Sequence, residues 1–190
     1  MATTALIVDL LVVGVFATIW IGLLAFTFID KLPLPWSFQT MSALLIPYLS
    51  VAYSLGVVIN RICDQIFKPI EEKILKKESI QWKDKNEYVH ARLVVFHKSQ
   101  GLTAYIDKLW ALIRIFRSTI VNSVFLTCAW ILFIWWRQYW SKTTILLSSV
   151  GLLLLEIALL ILLWRAWTKK TKHYHKNLMC AYKIVSSDKE

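Results

Sequence analysis

Two carboxylic acids fall inside runs that are otherwise apolar: Glu156 in GLLLLEIALLILLW and Asp9 in ALIVDLLVVGV. An ionisable group surrounded by hydrocarbon is costly when charged, so it is held neutral, paired with a cation, or set against water. Either residue therefore predicts one of two chemistries: an interhelical hydrogen bond that fixes geometry, or an ion-linked or proton-linked step. A second pair, Arg114 and Arg117, lies three positions apart, on one face of a helix, where the sequence turns apolar. Guanidinium groups at that level suit lipid phosphates, a protein partner, or carboxylates of the same bundle.

Further candidates lie outside the apolar runs. In RLVVFH, Arg92 and His97 have the spacing R-x4-H. This resembles the motif of HEPN-type ribonucleases, in which the Arg and His activate the RNA 2′-hydroxyl and stabilise the phosphate. The chain departs from that pattern at Leu93, where the family usually has a polar residue, and a helix with Arg92 and His97 on its outer surface accounts for the same residues. His173, His175 and Cys180 have the chemistry of soft metal ligands but lack a fourth partner, so no metal is expected. No pattern calls for a cofactor, and no catalytic constellation is expected.

The elements that must carry these groups follow from composition. A chain of 190 residues with 57% hydrophobic content, ten tryptophans and a net charge of +10 is unlike a soluble domain and like a membrane protein with basic segments. A spanning helix needs roughly 20 mostly apolar residues. Four stretches qualify, about 5 to 29, 39 to 60, 118 to 136 and 144 to 164. The first has no basic leader and no small-residue cleavage site, and reads as a retained span. The fold expected is all-α and polytopic: transmembrane hairpins over 1–60 and 118–164, a helical insertion over 61–117, and a basic tail over 165–190.

Charge orients it. Twelve Lys and Arg fall within 61–117 and seven follow Trp164, against three in the remaining loops. Positive loops stay on the cytoplasmic side, which predicts cytoplasmic termini in a plasma membrane. Counting inward at 1.5 Å per residue puts Asp9 roughly 6 Å and Glu156 roughly 12 Å deep, level with Ser50, Tyr53 and Ser54 on the second span and Asn122 and Thr127 on the third. Trp36, Trp135, Trp136, Tyr139 and Trp140 mark the outer interface, and Trp110, Trp164 and Trp167 the inner one. Gly14, Thr18 and Gly22 recur every four positions as a stripe for close helix packing.

Within the insertion, Pro69 is expected to end the second helix and open a short amphipathic one, KPIEEKILKK, whose acidic start and basic end suit the helix dipole. ESIQWKDKNE reads as an exposed loop. A helix resumes near Tyr88 and breaks at Ser99 to Gly101, and from Thr103 one helix of about 34 residues runs into the third span. The tail RAWTKKTKHYHKNLMCAYK reads as a solvated basic segment attracted to anionic lipid headgroups, with no direct nucleic-acid binding expected.

Four spans, inward termini and a basic insertion containing VINRICDQIFKPIEEKILKK resemble, in organisation, the small membrane subunits of bacterial antiphage defence systems, the Kiwa membrane-subunit type. The resemblance implies a homo-oligomeric inner-membrane sensor that restrains or recruits a cytosolic effector. Pore-forming effectors of related systems keep an oligomeric channel as the alternative. The small multidrug-resistance exporters also pair four spans with one membrane glutamate, but they carry it in the first span and lack the insertion.

Overall fold

The structure, a computed structural model, describes residues 2–28, 38–77, 85–98, 100–137 and 141–187. They form five helices: α1 (Ala2–Phe28), α2 (Phe38–Lys77), α3 (Lys85–Lys98), α4 (Gln100–Arg137) and α5 (Lys142–Ser187). All but α3 are long and apolar enough to cross a membrane, so the protein is all-α and multi-pass, with the short helix between spans two and three. The second, fourth and fifth helices are far longer than a bilayer requires. At 1.5 Å per residue the 46 residues of α5 extend about 69 Å, against a hydrocarbon core of about 30 Å.

In the apolar half the helices lie side by side in the order α2, α1, α4, α5. The first helix packs between α2 and α4, α5 packs on α4, and α1 and α5 share no contact among the described residues. The α1 and α2 backbones cross closely at Gly14 and Gly56. A Cβ at Gly14 would overlap the Ala52 carbonyl, and one at Gly56 would overlap the Leu10 carbonyl. Such approach suits helices in lipid, where packing and Cα–H···O contacts replace the hydrophobic drive. Thr18 continues this seam by bonding the Tyr48 hydroxyl at 2.8 Å, whereas nothing lies near Gly22. The expected stripe thus works at two of its three positions.

The first helix begins at about the level of Asp64, and beyond that level α2 closes directly on α4 and α5. Around and beyond that level the interior follows a heptad-like spacing, with Ile59, Cys63 and Phe67 buried on α2, Ile106, Leu109 and Ile113 on α4, and Trp167, Tyr174, Leu178 and Ala181 on α5. Ala91 and Val95 of α3 complete the core. A polar-ended helical bundle of this kind needs long helices entering from the apolar half, and α2, α4 and α5 supply them without interruption.

Two expectations are corrected here. Pro69 does not end the helix: α2 runs through it, and through Pro47, to Lys77. Proline deletes one backbone bond, to the carbonyl of Gln65, and Gln65 is exposed. Keeping the register, in return, leaves Phe67, Ile70 and Ile74 on one face against the core. The segment from 165 to 187 is not a solvated tail but the continuation of α5, with Trp167, Thr171, Tyr174 and His175 buried. Trp167 is accordingly a core residue rather than an interfacial anchor, packed edge-on to Phe67 with ring centroids 4.9 Å apart. Trp36, Tyr139 and Trp140, and most of ESIQWKDKNE, lie outside the described residues.

Candidate functional site

Arg117 sits where α4 leaves the apolar half, and its side chain is 2% exposed. A buried guanidinium requires opposite charge. Asp64 and Glu71, two turns apart on α2, supply it: Nη2 is 2.9 Å from Asp64 Oδ1 and Nη1 is 3.9 Å from Glu71 Oε2. The shorter contact is a direct ion pair. Glu71 also meets His175 of α5, Oε1 to Nε2 at 2.9 Å. One carboxylate thereby joins three long helices. The guanidinium lies over the Trp110 ring at 5.5 Å, and Trp110 packs on Tyr174 at 5.2 Å.

The joint extends to α3 through hydroxyls and a second arginine. Tyr88 and Tyr174 share a hydrogen bond at 2.9 Å. Arg92 pairs with Asp107 of α4 at 3.7 Å and lies over Phe96 and Trp110. In this setting Arg92 ties α3 to α4. The backbone of His97 is part of α3, and its side chain lies outside the described residues. His173 meets the Tyr105 hydroxyl at 3.0 Å, and among the described residues no three His, Cys, Asp or Glu gather as a metal site.

Arg114, one turn nearer the polar end of α4, reaches Asp9 of α1, Nη2 to Oδ2 at 3.2 Å. Both arginines therefore meet carboxylates of their own chain. Asn122 extends the contact by donating to the Val13 carbonyl at 3.2 Å while accepting from Trp20 Nε1 at 3.1 Å. Glu156 stands apart from these groups on α5. Thr127 donates to its Oε2 at 3.1 Å, and Oε1 is buried without a partner. Asp9 and Glu156 are thus separate sites on helices that do not meet. Of the polar groups expected at their level, Asn122 and Thr127 bond across helices, while Ser50 and Ser54 bond back to their own.

Sequence reasoning missed Asp64 and Glu71 as partners of Arg117, and weighed His175 only as a metal ligand. The usable signal was that Asp64 and Glu71 are seven residues apart, a spacing that keeps them on one helix face once Pro69 is allowed inside the helix. No protein-family model, curated protein or solved structure matches the chain.

Proposed function

We propose that the protein is a non-enzymatic membrane sensor or scaffold that transmits a change in its spanning helices to the end carrying α3, where a cytosolic partner reads it. The observation that carries this reading is the Arg117 joint. It ties α2, α4 and α5 together on the polar side of their apolar runs, starting from the residue where α4 enters its own. Tilt or rotation of one span must strain or break this joint, because side-chain ion pairs keep their strength over only a few ångströms. The excess of Lys and Arg at the same end supports a cytoplasmic location, contact with anionic headgroups and an acidic partner. Placement in a bacterial inner membrane and in antiphage defence, as a homo-oligomer, rests on the resemblance in organisation.

The test is co-purification in detergent with the proteins encoded beside it, alongside liposome reconstitution. A stable complex that weakens in Arg117→Met, with no ion flux, is the expected result. No partner together with robust flux would reject it in favour of an oligomeric channel. Glu156 is the residue that second reading would use, since a carboxyl group inside an apolar span is the kind of group that serves an ion path.

A further inference from the structure

Most helical hydroxyls among the described residues have a hydrogen-bond partner, and two that do not are informative. Thr18, Thr27, Ser50, Ser54, Thr119, Ser123, Ser148 and Thr168 each bond a carbonyl of the preceding turn. Ser118 and Thr171 are fully buried and bond nothing. They belong to the Arg117 joint. Ser118 follows Arg117 and has only the buried Cys63 thiol of α2, a weak sulfur acceptor, beside it. Thr171 sits one turn from Trp167, which packs on Phe67, and one turn from His175, which meets Glu71, so it lies on the face of α5 turned to α2. Trp167 Nε1 and Arg117 Nε are likewise buried without bonded partners.

Buried polar groups are nearly always hydrogen-bonded, and each exception favours any state in which water reaches it. Among the described residues such atoms also occur at Arg92, Arg114 and Glu156, but those of Arg117, Ser118, Trp167 and Thr171 share one seam, between the far half of α2 and the α4 and α5 pair. The near half of α2 is clamped to α1 by the Gly14 and Gly56 crossing. The far half is held by Cys63, Asp64, Phe67 and Glu71, and Asp64 is already half-exposed.

We infer that residues 61–77 of α2 form a hinged arm that swings away from α4 and α5, admitting water to Arg117, Ser118, Trp167 and Thr171, and that these unsatisfied groups poise the closed form for release. The arm is a conformational device independent of which partner or stimulus the protein serves. Opening trades the apolar contact of Phe67 and the Glu71 bridge for hydration of the seam. Unlike separation of α4 from α5, it leaves the long α4 and α5 interface intact.

Cys63 reports the motion directly, because it is buried in the seam, while Cys128 and Cys180 are exposed. In a Cys128→Ser, Cys180→Ser background in nanodiscs, a water-soluble thiol reagent should label Cys63 much faster than the chain unfolds globally. Thr171→Val removes a hydroxyl that only the open form satisfies, so it should slow labelling about 5- to 30-fold. Ser148→Ala, remote from the seam and bonded only to its own helix, should leave the rate unchanged. Labelling of Cys63 at the global unfolding rate, or a Thr171→Val rate equal to or above the parent's, would overturn the inference.

Discussion

Asp9 Oδ2 and Arg114 Nη2 stand 3.2 Å apart and tie α1 to α4 within apolar sequence, each side chain less than a fifth exposed. Removing one member leaves the other as an unpaired charge in a poorly solvated place, which in buried pairs costs about 3–5 kcal/mol. Asp9→Leu and Arg114→Leu should each lower thermal stability strongly. The double substitution should recover much of the loss, because a buried pair replaced by apolar side chains is often neutral. Thermal unfolding of the four proteins in nanodiscs closes the cycle, and purely additive losses would show that the pair is not coupled.

The α1–α2 crossing gives a position-specific expectation. Gly14→Ala and Gly56→Ala each place a methyl group on a backbone carbonyl that has no rotamer in which to yield. Separation of the two helices by even one methyl should cost about 1–3 kcal/mol. Gly22→Ala, on the same helix with open space around it, should be neutral or gain up to about 1 kcal/mol from helix propensity. Equal effects at all three sites, measured by thermal unfolding, would place the crossing elsewhere.

How much of this was legible depends on which physical signal dominated each segment. The four spans and the unbroken run from the 103 region to Arg137 follow from length and hydropathy, which burial in lipid reads directly. Thr127 and Asn122 were legible as polar groups at the right depth, but the choice of Thr127 for Glu156 depends on the lateral order of helices, which periodicity does not encode. The last part of α5 was obscured by charge. Lys169, Lys170, Lys172 and Lys176 suggest a solvated tail, although Trp167, Thr171, Tyr174, Leu178 and Ala181 keep a strict 4, 3, 4, 3 spacing on one side. Pro69 misled for the opposite reason, because a local breaker was given more weight than the apolar stripe running through it.

Pro69 supplies its own test. Since α2 continues through this position, the proline leaves the Gln65 carbonyl without its backbone donor and costs helix stability. Pro69→Ala should restore that donor and slow hydrogen exchange over 65–77, with a gain of up to about 3 kcal/mol in local stability. A proline that opened a separate helix at its first turn would show no such gain, because its missing N–H would have had no partner to lose.

The Arg117 joint predicts which segments respond together. Arg117→Met strips Asp64 and Glu71 of their cation while keeping a long apolar side chain over Trp110. Hydrogen exchange should accelerate in 61–77 and in 165–181, the two segments the joint binds, and stay unchanged in 7–28, which Arg117 does not touch. Faster exchange throughout would mean that the residue supports the whole fold and does not serve as a local lock.

Glu156 separates the two functional readings. Its Oε2 accepts from Thr127 at 3.1 Å, and glutamine at this position keeps a carbonyl oxygen for that bond while removing any titration. Under the scaffold reading, Glu156→Gln should retain stability, oligomeric state and partner binding, and neither protein should pass ions in liposomes. Thr127→Val then leaves the carboxyl group with no donor at all and should be the more damaging change, by about 1–3 kcal/mol. Flux through the parent protein that falls in Glu156→Gln with assembly intact would instead assign the glutamate to a conduction path.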